Sequence, residues 1–346
     1  MHDIASKIIT LLIAAMLSAD AYSQKNATEH EQIQTVMFWN VENLFDADNN
    51  PDKNDDEFTP KGTRHWTNYR LHTKVTNIAR AINDAGKENG VPSIIGMAEV
   101  ENDSVMTRLL SSAPLYRHGY RYIITQSDDV RGINVALAYI PMDFRLIGHQ
   151  CIKVSKDGNM RPTRDILHAW GRIIGGDTLD VIVCHLPSRL GGVRQNAQLR
   201  KRAHLCIKSL CDSIDHNRKN AHIIVMGDMN DAPNARQLKK DMQFGSNLTN
   251  LMIPLQKELR LGKRDFGSHK YQGEWTWLDQ FWINKGMKKE NSNVWTEKPN
   301  SVAEKYMMTE DATHIGHRPL RSYYGYNYEG GFSDHLPIIM EMHITY

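Results

Sequence analysis

The stretch Ala221-His222-Ile223-Ile224-Val225-Met226-Gly227-Asp228-Met229-Asn230 joins an apolar run to an abrupt polar ending. Its β-branched and apolar residues are typical of a strand. Asp228 and Asn230 follow at the point where that strand ends. Polar groups just past a strand end are held rigidly by the sheet and stay reachable by a ligand. The stretch therefore predicts a strand that carries functional groups to the rim of a sheet.

The same ending recurs along the chain. A single Asp or Asn in such a place has a plain structural explanation, because these residues favour turns and cap helices. Because a polar residue follows many of the apolar runs, we instead expect these polar side chains to converge at one rim of the sheet. The other polar residues that follow apolar runs are Asn40, Glu42, Glu99, His185, Asp279, Asp334 and His335.

Alternating strand and helix patterns run along the chain without a linker that divides it. Apolar residues at helical spacing predict helices over residues 71–82 and 195–217. Several extended runs follow one another without helices, which favours antiparallel pairing. The remaining strands are predicted at residues 33–39, 92–98, 120–126, 134–140, 144–154, 166–174, 179–184, 278–283 and 338–342. We therefore expect one α+β domain over residues 33–346.

Composition excludes several classes of protein. The chain has 346 residues, 40% of them hydrophobic and 24% charged, with 23 Gly and 12 Pro. These values match an ordinary globular protein and exclude collagen-like, coiled-coil and low-complexity chains. The formal net charge of +2 is too small to indicate a protein that coats nucleic acid, although a local cationic cleft remains compatible with it.

The N-terminus has the pattern of an export signal. Lys7 precedes the apolar residues 8–17, and Ala19-Asp20-Ala21 provides a small-x-small cleavage site. The run is too short to span a bilayer comfortably, so an uncleaved anchor is the weaker alternative. We expect residues 1–23 to form a signal peptide, residues 24–32 to form a flexible linker, and the mature protein to be periplasmic or extracellular without stable membrane insertion.

Four cysteines, Cys151, Cys184, Cys206 and Cys211, lie in the expected mature chain. An exported protein permits disulfides, but Cys184 lies inside an apolar run and Cys206 and Cys211 face different directions on a predicted helix. We therefore expect buried free thiols. The absence of a Cys-x-x-Cys sequence gives no support to a zinc ribbon or a redox motif.

The polar strand endings supply carboxylate and amide oxygens, which are hard ligands suited to Mg²⁺, with Mn²⁺ or Ca²⁺ as alternatives. A hard divalent ion suggests phosphate chemistry. The chain has no P-loop, no His-Glu-x-x-His and no Gly-x-Ser-x-Gly sequence, which argues against nucleotide motors, zinc proteases and serine hydrolases.

Six blocks of sequence occur in a fixed order along the chain. They are Phe38-Trp39-Asn40-Val41-Glu42-Asn43-Leu44, Ala98-Glu99-Val100-Glu101-Asn102, Cys184-His185-Leu186-Pro187-Ser188-Arg189, Gly227-Asp228-Met229-Asn230, Trp277-Leu278-Asp279 and Phe332-Ser333-Asp334-His335-Leu336-Pro337-Ile338. These blocks resemble the signature motifs of the endonuclease/exonuclease/phosphatase superfamily, in its exported bacterial, pancreatic deoxyribonuclease-like form. The resemblance covers the chain from about residue 33 to the C-terminus. It implies a four-layer α/β/β/α sandwich, in which two mainly antiparallel sheets pack face to face, and metal-assisted phosphoester hydrolysis.

The resemblance also implies a metal site. Glu99 is expected to bind the principal ion, with Asn40 helping to place the ion or the scissile phosphate. Glu42 takes the place of a carboxylate that is common two residues after this Asn. Asp334 is expected to complete the metal or water network.

The resemblance further implies a set of catalytic residues. Asp228 is expected to orient or deprotonate the attacking water, and Asn230 to hold the phosphate or the water in line. His335 is expected to contact a phosphate oxygen while Asp279 fixes the orientation of its ring. His185 is expected to act either as a general acid or as an electrostatic clamp, and the sequence does not choose between these roles.

Three further residues are candidates for substrate binding. Arg189 lies four residues after His185, so it is expected near a flanking phosphate, although an exposed loop arginine explains it equally well. Arg131 and Asn134 precede a predicted strand and are expected to point towards the site, with turn chemistry as the alternative. For residues 64–66 and for the tyrosines of residues 323–328, ordinary packing competes with a role beside the substrate.

The leading hypothesis is a monomeric, exported, Mg²⁺-dependent nuclease that hydrolyses DNA, with RNA as an open second substrate. The alternative is a phosphatase or a sphingomyelinase-like hydrolase that acts on inositol phosphates, sugar phosphates or lipid headgroups. No long apolar loop separates the motifs, which disfavours the lipid version. A binding module that has lost catalysis is weaker still, because Glu99, Asp228 and His335 are all present.

Overall fold

Two large sheets form the body of the protein in a computed structural model, which describes residues 30–86, 89–154, 161–188, 193–297 and 299–346. The predicted signal peptide at residues 1–23 and most of the predicted linker lie outside the described residues, as does Arg189. No helix in the described part of the chain is both long enough and apolar enough to cross a membrane.

The first sheet has seven strands and contains both the first and the last strand of the fold. Its order is β13-β19-β1-β2-β4-β3, and β14 pairs with β19. All of its pairings are antiparallel except that between β1 and β2. The strands are β1 (Glu31–Leu44), β2 (Ile94–Val100), β3 (Arg121–Ile124), β4 (Asn134–Tyr139), β13 (Val294–Thr296), β14 (Asn300–Ser301) and β19 (Ile338–Thr345).

The second sheet has six strands in the order β5-β6-β7-β8-β12-β9. Here β7 and β8 form the parallel pair, and the other pairings are antiparallel. Its strands are β5 (Arg145–Ile152), β6 (Ile166–Arg172), β7 (Thr178–His185), β8 (His222–Asp228), β9 (Thr249–Asn250) and β12 (Asp279–Ile283). Short hairpins are formed by β10 (His269–Tyr271) with β11 (Glu274–Thr276), β15 (Met308–Glu310) with β16 (His317–Pro319), and β17 (Tyr323–Tyr324) with β18 (Asn327–Tyr328).

Helices connect the strands of both parallel pairs. Helix α1 (Asn68–Ala85) lies between β1 and β2, and α3 (Val193–Asn217) lies between β7 and β8, as parallel neighbours require. The side chain of Thr67 accepts a hydrogen bond from the backbone N–H of Arg70 and so caps α1. The remaining helices are α2 (Asp103–Leu110), α4 (Arg236–Met242) and α5 (Met252–Arg260).

Alternating side chains divide the core into three layers. In β1, Met37 and Trp39 pack under the helices, whereas Val36 and Phe38 pack between the sheets. In β8, Ile224 and Met226 join the same central layer, while its alternate residues pack against α3 and α4. Because successive strand side chains point to opposite faces, each sheet covers two cores. The predicted four-layer α/β/β/α sandwich is confirmed.

Two details differ from the sequence-based expectation. The first strand begins at Glu31, two residues before the predicted boundary of the linker, because Glu31 pairs with Thr345 of β19. The four cysteines are free as expected, but Cys151 is exposed and Cys206 is only partly buried. The exposure of Cys151 has a structural reason. This position faces solvent because β5 is an edge strand of the second sheet.

Candidate active site

The polar strand endings meet at one rim of the sandwich and line a cavity of about 710 Å³. Both sheets contribute, through the carboxyl ends of β1, β2, β7 and β8 and through the segment that enters β19. The predicted residues that line the cavity are Asn40, Glu42, Glu99, Arg131, His185, Asp228, Asn230, Asp334 and His335. Residues that are far apart in the sequence thus converge as the repeated strand endings predicted.

Local backbone distortions aim some of these side chains. The pairing of β1 with β2 shifts register between Asn40 and Leu44, and that of β2 with β4 shifts between Ala98 and Val100. Within these irregularities Glu42 has a φ of 48° and Glu99 a φ of 62°. Left-handed backbone at residues other than glycine is strained and concentrates at functional sites. Here the strain turns two carboxylates into the cavity.

Asp228 lies at the centre of the polar network. Its Oδ2 accepts a hydrogen bond from Nδ2 of Asn40 at 3.0 Å, and its Oδ1 accepts one from the backbone N–H of Asn230 at 2.9 Å. Burial raises the pKa of Asp228 to about 6, against the opposing charge of His335. The side chain of Asn230 is anchored by a 2.9 Å bond from Nδ2 to the carbonyl oxygen of Leu186. Asp228 is therefore a fixed proton acceptor.

His335 is held from behind by Asp279. Its Nδ1 lies 2.6 Å from Oδ2 of Asp279, and its Nε2 lies 3.9 Å from Oδ2 of Asp228 and 4.0 Å from Oδ1 of Asp334. Although burial opposes a positive charge on the ring, the carboxylates of Asp279 and Asp228 raise the pKa of His335 well above its usual value. The ring therefore presents a cationic Nε2–H group to the cavity.

His185 differs from His335 in its charge. Its Nε2 lies 3.5 Å from Oδ2 of Asp228 and 4.0 Å from Oε1 of Glu99, while its Nδ1 is buried without a hydrogen-bond partner. Burial lowers the pKa of His185 well below its usual value, and the positive charges of Arg164 and Arg131 lower it further. The ring is therefore neutral near pH 7.

Glu99 and Arg131 lie on one side of the cavity. Oε2 of Glu99 accepts a hydrogen bond from the backbone N–H of Asn43 at 2.9 Å. The same oxygen lies 3.7 Å from Nη2 of Arg131, whose guanidinium also contacts Oδ1 of Asn43. Oε1 of Glu99 has no partner closer than His185 among the described contacts. One oxygen of Glu99 is thus held in place while the other faces the cavity.

Arg321 joins the two remaining acidic residues. Its Nε donates to Oε1 of Glu42 at 2.9 Å, and its Nη2 contacts Glu42 as well and lies 3.0 Å from Oδ2 of Asp334. Burial raises the pKa of Glu42 to about 7, and the charge of Asp334 adds to this effect. Oε2 of Glu42 is buried without a hydrogen-bond partner. One carboxylate oxygen therefore remains open to a further ligand.

A second cavity of about 250 Å³ adjoins the first and shares Glu42, Asn43 and Arg321 with it. Its other walls are aromatic or cationic and include Phe58, Arg64, Trp66 and Tyr323. The Arg64 guanidinium lies 5.1 Å from the ring centre of Tyr323 and 4.9 Å from that of the exposed Tyr326. Trp66 is buried and donates to the carbonyl of Phe45 at 3.0 Å, so its role is packing, as expected.

Asn134 does not have the predicted position. It is buried outside the cavity, with Nδ2 donating to the carbonyl of Glu101 at 2.7 Å and Oδ1 accepting from the backbone N–H of Ser127 at 2.8 Å. These bonds use the side chain to fix the loop before β4, so the structure does not bring Asn134 into the cavity with the other predicted residues. Asp279 also lies behind the cavity lining, where it supports His335 as predicted.

Several residues of the site were not predicted. Arg164 is buried, donates to the carbonyl of His185 at 3.2 Å and lines the cavity, as do His269 and Lys270. The buried Lys74 donates to Oγ of Ser322 at 2.7 Å behind the same site. A basic residue just before an apolar run, as in Thr163-Arg164-Asp165-Ile166, was the available signal for Arg164. Lys74 lies within a regular helical pattern that gives no such signal.

Solved structures with this fold include TDP2 proteins and a mannosyl-6-phosphatase. A humanized form of TDP2 from D. rerio has a TM-score of 0.57 and 12% identity, covering 90% of this chain and 98% of its own. An endonuclease/exonuclease/phosphatase family protein from Bacteroides thetaiotaomicron has a TM-score of 0.56 and 15% identity, covering 92% and 97%. A mannosyl-6-phosphatase from Bacteroides thetaiotaomicron has a TM-score of 0.53 and 15% identity, covering 89% and 99%. At these identities the likeness shows the fold alone.

Sequence comparison gives the family directly. The search among curated proteins found no match. The sequence model described as the Endonuclease/Exonuclease/phosphatase family matches residues 35–344, which is nearly the whole of the described chain. The chain therefore belongs to the endonuclease/exonuclease/phosphatase family, a family of phosphoester hydrolases.

Proposed function

We propose that the protein is a divalent-metal-dependent phosphodiesterase, a nuclease that hydrolyses DNA by in-line attack of water. One observation carries the proposal. Asp228 and the cationic ring of His335 face the same cavity as Glu99 and Asn40. That arrangement combines a proton acceptor, an anion-binding group and hard oxygen ligands around one space, which is what phosphoester hydrolysis requires.

The donor set fits a hard divalent cation. Glu99, Glu42 and Asp334 contribute carboxylate oxygens to the cavity, with Asn40 beside them. The buried Oε2 of Glu42 has no hydrogen-bond partner, as expected of an oxygen that binds a cation. Carboxylate and amide oxygens favour Mg²⁺ or Mn²⁺ over softer ions. A bound cation would neutralise charge on the phosphoryl oxygens and on the leaving oxygen.

Beside the cavity, two groups of acids and histidines among the described residues have ligand atoms within 4.8 Å of one another, whereas Glu99, Glu42 and Asp334 do not form such a group. One group consists of His269, Asp334 and His335, and the other of Asp228, Asp279 and His335. His335 already has Asp279 at Nδ1, and its cationic form has no lone pair to offer a metal. We therefore assign the proposed cation to Glu99, Glu42 and Asp334, whose side chains line the same cavity and must move closer together to share an ion.

Asp228 is the proposed acceptor of the proton from the attacking water. Its position is fixed by Asn40 and by the backbone of Asn230, so the carboxylate loses little freedom when substrate binds. The side chain of Asn230 lines the cavity beside it and is the proposed contact for the phosphate or the water. Proton transfer to a positioned carboxylate contributes about 10²- to 10⁴-fold in rate.

His335 is the proposed contact for a phosphoryl oxygen. Its charged Nε2–H group is already in place to stabilise the negative charge that develops on that oxygen during the reaction. His185 is neutral near pH 7 and so supplies neither a positive charge nor a ready proton. We propose that its Nε2–H group points between the carboxylates of Asp228 and Glu99, which lie 3.5 Å and 4.0 Å away. This role differs from both roles that the sequence left open.

The adjoining aromatic cavity supports a diester substrate over a monoester. A phosphodiester carries a group on each side of the scissile phosphorus, so its enzyme needs space beyond a single phosphate pocket. The cavity of Arg64, Phe58 and Tyr323 offers aromatic and cationic surface at this place, and such surfaces bind bases and their flanking phosphates. A TDP2 structure from D. rerio, which has this fold, contains a single-stranded DNA product.

A phosphomonoesterase that acts on sugar phosphates is the second candidate. Arg131, Arg164, Lys270 and Arg321 all line the main cavity, and a dianionic monoester requires more positive charge than a diester. The mannosyl-6-phosphatase from Bacteroides thetaiotaomicron has this fold. The proposal of export, to the periplasm or beyond the cell, rests on the N-terminal sequence pattern and fits either substrate.

Parallel assays distinguish these functions. Plasmid DNA, single-stranded DNA, RNA, p-nitrophenyl phosphate, bis-p-nitrophenyl phosphate, mannose 6-phosphate, inositol phosphates and sphingomyelin are incubated with Mg²⁺, Mn²⁺, Ca²⁺ or excess chelator. We expect Mg²⁺-dependent hydrolysis of DNA and of the bis-ester that is lost in Asp228→Asn. Asp177→Asn, a matched change outside the cavity, is the control. Full activity in excess chelator would exclude the metal mechanism, and a clear preference for monoesters would favour the phosphatase.

A further inference from the structure

His343 lies in β19, far from the proposed active site. From Ile338, where β19 begins beside the active site, to His343 the strand rises roughly 17 Å. His343 pairs with Trp295 of β13 and with Ile33 of β1 across the first sheet. Only 7% of the residue is exposed. A buried histidine in this place has no part in the proposed reaction and requires its own explanation.

The ring of His343 is fixed on two sides. It stacks on the ring of Trp295, with centres 3.8 Å apart and planes inclined by 7°. Nδ1 lies 2.8 Å from Oε1 of Glu31, the first residue of β1. A carboxylate at Nδ1 holds the proton on that nitrogen and leaves the lone pair of Nε2 available, which is the arrangement found behind metal-binding histidines.

The other nitrogen faces two further carboxylates. Nε2 lies 3.8 Å from Oε1 of Glu297 and 3.9 Å from Oε2 of Glu341, too far for a hydrogen bond to either. It is buried and has no hydrogen-bond partner. Oε1 of Glu341 accepts a hydrogen bond from Nδ2 of Asn89 at 2.6 Å, which turns its Oε2 towards the ring. The buried nitrogen is therefore aimed at a gap between two carboxylates.

We propose that His343, Glu297 and Glu341 form a second divalent-cation site, suited to Zn²⁺ and separate from the catalytic one. One ligand atom from each residue lies within 4.8 Å of the other two. A tetrahedral Zn²⁺ ion keeps neighbouring ligand atoms roughly 3.4 Å apart. Glu297 and Glu341 are partly exposed, so small side-chain rotations bring their oxygens to that spacing. One nitrogen with two carboxylate oxygens favours Zn²⁺ over Mg²⁺ or Ca²⁺.

The competing explanation is an imidazolium held by acidic neighbours without any metal. In that form Nε2 carries a proton, and a buried N–H group without an acceptor costs about 1–3 kcal/mol. The two carboxylates are 3.8 Å and 3.9 Å away and do not accept it. A cation between His343, Glu297 and Glu341 gives Nε2 a partner and also offsets the repulsion between the two carboxylates. An imidazolium offsets that repulsion but leaves its Nε2–H group without an acceptor.

A cation at this place would connect the two ends of the described chain. Glu31 begins β1, Glu297 follows β13, and Glu341 and His343 lie in β19. Ions that bind only the folded state raise its stability. We therefore expect Zn²⁺ to stabilise the protein against unfolding of its terminal strands, independently of catalysis.

The test counts Zn²⁺ bound by the full chain with Mg²⁺ present, by calorimetry and by elemental analysis after gel filtration. We expect His343→Gln and Glu297→Gln each to bind one equivalent fewer than the unaltered protein. Zn²⁺ should raise the thermal midpoint of the unaltered protein. It should not raise the thermal midpoint of either variant. Glu31→Gln, which removes only the support at Nδ1, should weaken binding about 10- to 100-fold.

His149→Gln and Glu310→Gln are matched changes at exposed positions outside the cluster and should leave Zn²⁺ binding unaltered. Glu297 has a half-exposed side chain, so its variant keeps the test valid if the buried His343→Gln does not fold. Activity in Mg²⁺ should stay unchanged in Glu297→Gln. An equal Zn²⁺ count in the unaltered protein and the folded variants would overturn the proposal, as would a thermal midpoint that does not respond to Zn²⁺.

Discussion

Nδ1 of His335 lies 2.6 Å from Oδ2 of Asp279, a carboxylate from which solvent is completely excluded. Asp279 begins β12 of the second sheet, whereas His335 lies in the segment before β19 of the first sheet, 56 positions away in the sequence. Because the buried carboxylate stabilises the imidazolium, it fixes both the charge and the direction of Nε2. The first prediction concerns this pair.

Asp279→Asn should lower kcat/KM about 10- to 100-fold while the protein still folds. The amide keeps the size of the side chain but removes the negative charge that raises the pKa of His335. The ring should then bind the phosphoryl oxygen as a weaker, neutral donor. Steady-state kinetics in Mg²⁺ and thermal unfolding measure the two effects, with Asp177→Asn as the control. An unchanged kcat/KM in a folded variant would remove Asp279 from the site.

Asn134→Ala should destabilise the protein by about 1–3 kcal/mol, because it leaves a buried backbone N–H group and a buried carbonyl without a partner. The kcat/KM of the folded variant should stay within about twofold of the original, since Asn134 lies outside the cavity. Urea denaturation and kinetics under the same conditions separate the two quantities. Arg131→Ala, a change in the cavity wall, should show the opposite pattern, and a raised KM in Asn134→Ala would restore its predicted contact with substrate.

The location of the site at one rim of the fold could be predicted from the sequence, because the end of a strand is a local sequence pattern. Asp228 and Asn230 follow a long apolar run, and Asp334 and His335 precede another. Such patterns show which residues reach the end of a strand, but they do not show the direction of each side chain. Asn134 begins β4 opposite Val100, at the rim where β2 ends, yet its side chain turns back into the loop before β4.

Long-range partners were beyond the reach of the sequence. Glu42 and Arg321 are 279 positions apart, and the strained backbone of Glu42 at the irregular end of β1 brings them together. Arg321 precedes a run of tyrosines, where the sequence indicates a loop and nothing about charge pairing. Residues that act through tertiary contacts, such as Lys74 and Arg164, acquire their environment only when both sheets are packed.

Arg321→Gln should lower the thermal midpoint in the presence of chelator and should lower it less in Mg²⁺. Removal of the guanidinium leaves Glu42 and Asp334 close together without their shared cation, at a cost of about 2 kcal/mol for lost charged hydrogen bonds. A divalent ion held by the same carboxylates should offset part of this loss. The gain from Mg²⁺ should therefore be larger in the variant than in the unaltered protein.

Thermal unfolding of Arg321→Gln is compared in chelator and in Mg²⁺ with that of Arg145→Gln, a change at an exposed position of β5. The control should show the same response to Mg²⁺ as the unaltered protein. If Arg321→Gln gains no more from Mg²⁺ than the control does, Glu42 and Asp334 are not ligands of the ion.

His168 provides a test of stability against pH that is independent of the active site. Its Nδ1 lies 3.0 Å from Nε2 of Gln150, and its Nε2 lies 2.9 Å from Oδ1 of Asp180. A neutral ring satisfies both contacts, accepting at Nδ1 and donating at Nε2. Burial lowers the pKa of His168 to about 4, and the positive charge of Arg218 lowers it further.

A depressed histidine pKa favours the folded state above pH 6.5 and loses that contribution as the pH falls towards 4, because the unfolded chain then binds a proton that the folded one does not. The free energy of unfolding should therefore decrease by on the order of 2 kcal/mol between pH 7.5 and pH 5 through this residue. In His168→Gln the decrease should be smaller by that amount, whereas the exposed His149→Gln should keep the original slope. Urea denaturation at pH 7.5 and pH 5 measures the change in the free energy of unfolding. An equal change in His168→Gln and in the unaltered protein would mean that the folded protein also protonates this ring.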